Sequence, residues 1–304
     1  SVSFAASTDT YENTAISVRL ISVEDGVTTN SGTLSLGLDI ELAEGWKAYW
    51  RSPGEVGLPP EISWDSSKNL ATAQMLWPAP KRFTAFGIEN FGYNDRVVLP
   101  IQAVLETAGQ AVVLRARVTL LTCSTVCVPH DFNLSLTIPA GTGIDTDSAG
   151  LISEFAKRVP LGSDASDIAV ETAVIVDDAL YITARSANVF ANPDVFPEMG
   201  PTFTFGKPDV RTNEAGTELW AKLPVLASEE LLPTLQVTVT DGSRAVTAMP
   251  EWSNTIPDAP FELAANFTSL AQVLTIAGFA FLGGLVLNIM PCVLPVLSIK
   301  LTSV

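Results

Sequence analysis

The residues of this chain that are best suited to chemistry are its three cysteines. Cys123 and Cys127 are separated only by Ser-Thr-Val, whereas Cys292 lies between Pro291 and Pro295 in a long uncharged segment. A pair at this spacing can close a small-loop disulfide, and a lone cysteine needs a partner from elsewhere. The placement predicts thiol chemistry on both sides of a membrane boundary.

The spacing of the pair leaves two interpretations open. A small disulfide could tie a strand to its turn, and the loop-entropy model gives such a short loop about 2 kcal/mol of stabilisation. The same spacing suits a redox couple that exchanges disulfides with other proteins. The two sulfurs and His130 fall short of the four ligands of a structural zinc site, so we predict no metal here.

Three ionisable residues could shift the pKa of the cysteine thiols. His130 would stabilise a thiolate if its ring were protonated nearby. Pro129 extends the chain, however, and the favoured interpretation is a histidine exposed in a turn. Glu89 and Asp131 would instead raise a thiol pKa if either lay close to it.

The charge of the chain excludes one class of partner. Its 304 residues contain 33 acidic and 17 basic side chains, for a formal net charge of -16. Binding to nucleic acid draws its affinity from Lys and Arg, so we predict no nucleic-acid partner. The first residues show no charged region followed by an apolar stretch, which we interpret as a mature or trimmed N-terminus.

The strand pattern predicts an all-β fold. Alternating apolar runs such as 33–42, 111–120, 168–176 and 235–240 are separated by Gly and Pro turns, which is typical of β-sandwiches. We predict two immunoglobulin-like β-sandwich domains in tandem, followed by a C-terminal transmembrane helix. The predicted bounds are a redox domain at 1–145, a junction at 146–159 with a short helix near 153–158, a second sandwich at 160–252, a linker at 253–266 and a membrane segment at 267–304.

The C-terminal segment has the length of a membrane span. No charged residue occurs between Glu262 and Lys300, and residues 271–289 form the best window. A lone anchor is one interpretation. Prolines on both sides of Cys292 loosen a helix, which favours the first helix of a larger, truncated membrane domain.

Several segments, in order, resemble the DsbD/ScsB family of transmembrane thiol:disulfide reductases, and its ScsB-type branch in particular. The segment around the cysteine pair resembles the active-site segment of the N-terminal periplasmic domain, and the segment around Cys292 resembles the first cysteine helix of the membrane domain. The similar segments are Gly45-Trp-Lys-Ala-Tyr-Trp-Arg-Ser-Pro-Gly54, Gly57-Leu-Pro-Pro60, Phe91-Gly-Tyr93, Val97-Val-Leu-Pro100, Leu121-Thr-Cys-Ser-Thr-Val-Cys-Val-Pro129 and Asn288-Ile-Met-Pro-Cys-Val-Leu-Pro295.

The resemblance implies an electron relay without a cofactor. Electrons from a cytoplasmic thioredoxin would cross the bacterial inner membrane through a cysteine pair that includes Cys292. They would reach a C-terminal thioredoxin-like domain of the same full-length protein and then Cys123 and Cys127 in the periplasm. Cys127 would attack and Cys123 would resolve. The chain as given lacks a Cys-x-x-Cys and a partner for Cys292, so we do not expect it to run the relay alone.

The resemblance also implies thioredoxin-like clients. They could be a disulfide isomerase, a cytochrome-maturation protein or a peroxiredoxin, with roles in cytochrome c biogenesis or copper tolerance. The alternative function is a non-catalytic sandwich, tethered to the membrane, that binds copper or another ligand, because Met290 and Cys292 are soft ligands for Cu(I). The second sandwich is expected to be a spacer or a docking surface.

Two sets of aromatic residues can each be interpreted in two ways. Residues 86–93 resemble the family's cap loop, in which Phe91 or Tyr93 would cover the cysteines beside Glu89; alternatively, both rings pack inside the sandwich. Trp46, Tyr49 and Trp50 are expected to pack in the core or at its rim, although exposed aromatics could form a sugar-binding platform.

Overall fold

The alternating runs of the sequence form the strands of four β-sheets. The structure is a computed structural model that describes residues 6–85, 88–200, 202–228 and 234–260. These residues are almost entirely strands and loops with one short α-helix, which confirms the predicted all-β class. Cys292 and the predicted transmembrane helix lie outside the described residues. Within the described ranges, no helix combines the length and the apolar character that a bilayer crossing requires.

The elements follow one another with short connections. The first group is β1 (Tyr11–Glu12), β2 (Ile16–Ser22), β3 (Thr33–Leu42), β4 (Lys47–Gly54), β5 (Glu61–Ser63), β6 (Leu70–Met75), β7 (Lys81–Ala85), β8 (Ile88–Asn94), β9 (Arg96–Leu105), β10 (Val112–Cys123), β11 (Cys127–Ile138) and the helix α1 (Thr146–Ala156). The second group is β12 (Leu161–Gly162), β13 (Ile168–Val176), β14 (Ala179–Ser186), β15 (Pro193–Glu198), β16 (Thr204–Phe205), β17 (Asp209–Thr212), β18 (Glu218–Ala227), β19 (Gln236–Asp241), β20 (Arg244–Ala248) and β21 (Glu251–Trp252), with a 3-10 turn at Ser163–Ala165.

The first group builds two sheets around one core. Their strand orders are β1-β2-β3-β9-β6 and β11-β10-β4-β8-β7, and β5 also pairs with β10. Inward-facing side chains such as Leu36, Leu38, Leu99 and Leu114 are fully buried between them. We call these two sheets the first sheet pair.

The second group builds the second sheet pair. Its orders are β12-β20-β19-β15 and β16-β18-β14-β13-β21, with β17 on β18. A separate set of buried residues, including Leu180, Ile182 and Val239, fills its core. Residues up to 260 nevertheless form one compact unit, and the domain bounds inferred from the sequence stay a prediction.

Individual elements match the sequence closely where the alternation is long. The runs predicted at 33–42 and 168–176 are strands with those same limits. The predicted turn at Asp177 and Asp178 has positive φ at both residues, 49° and 56°, as a tight hairpin turn requires.

The helix begins earlier than predicted and belongs to the first core. Asp145 caps it by accepting a hydrogen bond from the Ser148 amide at 2.7 Å. Ile152 and Phe155 are buried in the first sheet pair, so α1 covers one of its faces. The polar, Gly-rich sequence of the predicted junction gives no clear helix signal before residue 153, which explains the difference.

One glycine lets two strands near the cysteines approach closely. Gly92 of β8 lies opposite Tyr49 of β4. A Cβ at this position would stand 2.0 Å from the Ala48 carbonyl oxygen, which is backbone and cannot move aside. Glycine at 92 therefore allows β8 to pack directly against the strand that borders Cys123.

Candidate functional site

A long β-hairpin brings Cys123 and Cys127 together. β10 and β11 pair over twelve positions, from Val112 opposite Ile138 to Cys123 opposite Cys127. The loop between them has three residues, and the Ser124 amide donates to the Val126 carbonyl at 2.9 Å. The cysteines are joined by a disulfide with their Cα atoms 4.1 Å apart. The pair therefore lies at the end of a strand ladder, as predicted.

The two sulfur-bearing residues have opposite environments. Cys123 is only 2% exposed, because its strand β10 is flanked by β11 on one side and by Lys47 of β4 on the other. Cys127 is exposed and lies on β11, which is the last strand of its sheet. An incoming thiolate must reach a sulfur in line, so Cys127 is the accessible target and Cys123 is shielded.

The Tyr49 hydroxyl is the polar partner of the shielded sulfur. It donates a hydrogen bond to Cys123 Sγ at 3.1 Å. Burial raises the pKa of Tyr49, so its hydroxyl stays protonated and remains a donor at neutral pH. Gly57 lies against the ring, and a Cβ there would stand 2.5 Å from ring atoms, so the loop that contains Gly57 closes directly onto Tyr49.

Sequence reasoning did not find this contact. Tyr49 and Trp50 are both buried, which agrees with the packing interpretation and removes these two rings from any exposed sugar-binding platform. Trp46 packs partly buried against the same core. Because 74 positions separate Tyr49 from Cys123, no local pattern signals the hydrogen bond.

The hairpin formed by β7 and β8 contacts the surroundings of Cys123 through Phe83. The Phe83 ring lies 6.1 Å from the Tyr49 ring, and the Lys47 ammonium lies 5.4 Å from the Phe83 centroid. Lys47 in turn faces Cys123 across the β4–β10 pairing. Phe83, which the sequence did not single out, therefore contacts both neighbours of the buried sulfur.

The three residues of the expected cap loop are buried in or beside the first core. Phe91 is 3% exposed and packs edge-to-face against Phe196 at 5.0 Å. Tyr93 is 7% exposed and donates its hydroxyl to the Pro78 carbonyl at 2.8 Å. Glu89 accepts hydrogen bonds from Thr84 and Arg82. Of the two alternatives for Phe91 and Tyr93, the structure shows packing inside the sandwich.

His130 is buried, and the expectation of an exposed turn histidine is wrong. It is 5% exposed, and its Nε2 lies 2.8 Å from the Thr122 hydroxyl. The Asn13 side-chain amide stands 3.2 Å from Nδ1, which makes Nδ1 the acceptor and leaves the Nε2 proton for Thr122. Pro129 continues β11 as a strand, so residue 130 faces inward.

The predicted acidic neighbours do not contact the sulfurs. Asp131 points outward and forms a bidentate pair with Arg117 at 2.7 and 3.0 Å, which lowers the pKa of Asp131. Among the described residues, no group of three or more His, Cys, Asp or Glu side chains is placed to hold a metal ion.

An apolar groove lies next to the exposed cysteine. It has a volume of about 410 Å³, and its lining includes Leu58 and Pro59 from one loop and Leu121 and Pro129 from the cysteine hairpin. Leu58 is 63% exposed and Val126, in the disulfide loop, is 57% exposed. Leu121 and Pro129 pair two positions along the ladder from the disulfide, so the groove offers surface near Cys127 that a partner protein could cover.

The Tyr49→Phe substitution tests the hydroxyl contact. It keeps the ring but removes the donor that would stabilise Cys123 as a departing thiolate. A net hydrogen bond of about 1 kcal/mol corresponds to a fall of about three- to tenfold in the rate of reduction by dithiothreitol. Quenched-flow thiol trapping measures this rate. Tyr181→Phe, in β14, is the matched control and should leave it unchanged; equal rates in wild type and Tyr49→Phe would contradict the assignment.

The buried ring of His130 predicts a pH-dependent stability. Burial lowers its pKa in the folded protein, so the unfolded chain takes up the proton first as the pH falls. Stability is therefore full above the unfolded pKa of about 6.5 and declines as the pH falls below it. His130 is the only histidine of the chain. Urea unfolding at pH 7.5 and 5.5 gives the free energy of unfolding at each pH. This free energy should fall more from pH 7.5 to 5.5 in wild type than in His130→Gln, and equal falls would refute this account.

Comparisons with known proteins agree with this geometry. Residues 17–139 match the family model of the N-terminal domain of the thiol:disulfide interchange protein DsbD. Residues 158–255 match a domain of unknown function, DUF8393. These two ranges coincide with the first and second sheet pairs.

A solved structure extends the similarity over both sheet pairs. The crystal structure of the N-terminal periplasmic domain of ScsB from Proteus mirabilis has a TM-score of 0.66 and 25% identity, and the match covers 84% of this chain and all of that one. Curated proteins gave no significant sequence match. Residues 17–139 therefore match the DsbD N-terminal domain family, and the two sheet pairs together are similar to the N-terminal periplasmic domain of ScsB.

Proposed function

We propose that this region is the periplasmic electron-donor module of a membrane thiol:disulfide interchange protein. The observation that carries the proposal is the asymmetric disulfide at the hairpin end, with Cys127 exposed and Cys123 buried beneath Tyr49. A disulfide that only stabilises the fold needs no accessible sulfur. Exchange does need one, because a thiolate must approach the disulfide along its axis.

In the reduced module, the Cys127 thiolate attacks one sulfur of a client disulfide. The client's other sulfur leaves as a thiolate, and a mixed disulfide joins Cys127 to the client. Cys123 then attacks Cys127 Sγ, the bond to the client breaks, and its second sulfur leaves as a thiolate. Two electrons have passed to the client, and the Cys123–Cys127 disulfide has reformed.

Recharging runs through the same bond in reverse. An incoming donor thiolate attacks Cys127 and forms a mixed disulfide with it, and the electron pair of the broken bond moves onto Cys123 Sγ. The donor's second thiolate then attacks its own sulfur in the mixed disulfide, and Cys127 leaves as a thiolate. The Tyr49 hydroxyl, 3.1 Å from Cys123 Sγ, stabilises the negative charge that develops there. Tyr49 therefore supports the step in which the module is loaded.

The surroundings of Cys127 suit a protein partner. The exposed Val126 precedes this cysteine in the chain, and the apolar groove begins at Pro129, two residues after it. The family resemblance makes thioredoxin-like proteins the partners, namely periplasmic clients and a C-terminal domain of the full-length protein. The same resemblance assigns Cys292 to an electron-carrying span in the inner membrane.

The copper-binding alternative has less support. It depends on Met290 and Cys292, which lie outside the described residues, and the described residues contain no cluster of metal ligands. We therefore favour exchange, in which the working groups are two sulfurs and one hydroxyl.

The reduction potential of the pair tests the proposal. We expect a midpoint of about -180 to -270 mV, the span of exchange proteins, whereas structural disulfides fall below about -300 mV. Thiol trapping and mass spectrometry across a series of redox buffers give the value, in a Cys292→Ser background so that only this pair titrates. A midpoint below that limit would identify a structural disulfide.

Single-cysteine variants test which sulfur attacks. In Cys123→Ser the exposed Cys127 remains without its resolving partner, so the mixed disulfide with an oxidised thioredoxin-fold protein should accumulate. In Cys127→Ser the remaining thiol is shielded, and we expect at least about tenfold less complex, because thiol access controls exchange rates. Non-reducing gel electrophoresis measures both. Equal amounts, or more with Cys127→Ser, would reverse the assigned order.

A further inference from the structure

The second sheet pair contacts the first through one face of β15. Along this strand Asp194, Phe196 and Glu198 point toward the first sheet pair, as a period of two requires. Val195, between them, is fully buried in the second core. β15 is therefore packed on both faces and joins the two cores.

The apolar side chain that β15 contributes to this contact is Phe196. Phe196 is 1% exposed and belongs to the first core rather than to its own. It meets Phe91 edge-to-face at 5.0 Å and Trp50 at 6.1 Å. The second sheet pair thus contributes a buried side chain beside the strands that border the cysteine site.

Two arginines of the first sheet pair hold the acids on either side of this ring. Arg51 makes a bidentate pair with Glu198 at 2.8 and 3.0 Å. Arg82 of β7 donates to Asp194 at 3.0 Å and to the Val195 carbonyl at 2.8 Å. Planar guanidinium groups in such pairs fix orientation as well as distance.

Arg82 also links the two strands of the β7–β8 hairpin. Its third nitrogen lies 3.3 Å from Glu89 of β8, and its guanidinium carbon lies 4.8 Å from the Phe91 centroid. Its side chain is 13% exposed, so these interactions are poorly screened by water. One largely enclosed cation therefore joins β7, β8 and β15 to each other.

The next residue on β7, Phe83, packs against Tyr49, the hydrogen-bond donor to the buried sulfur. Successive side chains of a strand point to opposite faces, so Arg82 faces β15 while Phe83 contacts Tyr49 and lies near Lys47. Tyr49 in turn donates to Cys123 Sγ. The path from Asp194 to the buried sulfur is a chain of direct contacts through two adjacent residues of β7.

We infer that the second sheet pair, through the contacts of β15 with Arg82 and through Phe196, holds the β7–β8 hairpin against Tyr49 and so keeps Cys123 shielded. The function of the second sheet pair would then be to restrict exchange to Cys127. Arg82, Asp194 and Phe196 are positioning residues, because they act through Phe83 and Tyr49. The role in exchange rests on the proposed function, whereas the shielding of Cys123 can be measured independently of that function.

The experiment compares alkylation of the two thiols in the reduced protein. Brief exposure to iodoacetamide, followed by peptide mass mapping, gives separate rates for Cys123 and Cys127. We expect Asp194→Asn and Phe196→Leu to raise the Cys123 rate about tenfold and leave the Cys127 rate unchanged, because only the buried thiol gains access. Asp194→Glu, which keeps the carboxylate, should preserve the shielding.

Matched controls separate positioning from general loss of stability. Asp167→Asn removes one partner of an ion pair inside the second sheet pair, with a side chain about as exposed as that of Asp194. Phe205→Leu changes a ring buried only in the second core. Neither should change the Cys123 rate.

Two results would overturn the inference: unchanged protection of Cys123 in Asp194→Asn and Phe196→Leu, or an equal rise in the controls. The midpoint potential, measured on the same variants, is a separate readout. A potential outside the exchange range would remove the proposed function while leaving the shielding measurement intact. A midpoint potential within the exchange range, together with faster alkylation of Cys123 in Asp194→Asn and Phe196→Leu, supports both the proposed function and the inferred shielding.

Discussion

The register of the β10–β11 ladder is the constraint on which the site depends. Buried apolar side chains alternate on both strands, including Val112, Leu114 and Val118 on one and Leu134 and Leu136 on the other. A slip by one residue would turn each of these rows toward water and separate the cysteines from each other. The burial energy of the core thus places two sulfurs opposite each other at a hairpin end.

This ladder also explains why the two sulfurs differ. At its cysteine end β10 is an inner strand that continues into pairing with β4, whereas β11 is the last strand of the sheet. The same hairpin therefore gives one sulfur a protein environment with a hydroxyl donor and gives the other a solvent-facing position. Sheet order therefore sets up the chemical difference between the two cysteines, and the contact of Tyr49 with Cys123 adds to it.

Much of the scaffold could be predicted because strand signals are local. The period-two runs gave β3 and β13 with their correct limits, and the cysteine spacing indicated a small loop at a strand end. The burial of His130 was missed although its signal was present, since it shares its parity with Phe132 and Leu134 on β11. The sequence-based expectation that Pro129 extends the chain and leaves His130 exposed in a turn is wrong, because β11 continues through Pro129 with its alternation intact.

The contacts that surround the buried sulfur could not be predicted in this way. Tyr49 and Cys123 lie 74 positions apart, and Arg82 and Asp194 lie 112 apart. An Asp-x-Phe-x-Glu face suggests a solvated strand edge, because two of its three side chains are acidic. Only tertiary packing shows that this face is buried against arginines, so the link between the second sheet pair and the cysteines became visible only in the fold.

The proline at 129 has a consequence for how long a partner can stay. An outer strand offers free amides and carbonyls, onto which another chain can add as a further strand. Proline within such a strand points its missing donor outward, so β11 lacks one of these amides two residues after Cys127. A partner polypeptide can therefore pair with the edge of β11 beside Cys127, but the missing amide at Pro129 interrupts longer strand addition. In the proposed exchange module, a short edge contact of this kind would favour release of the partner.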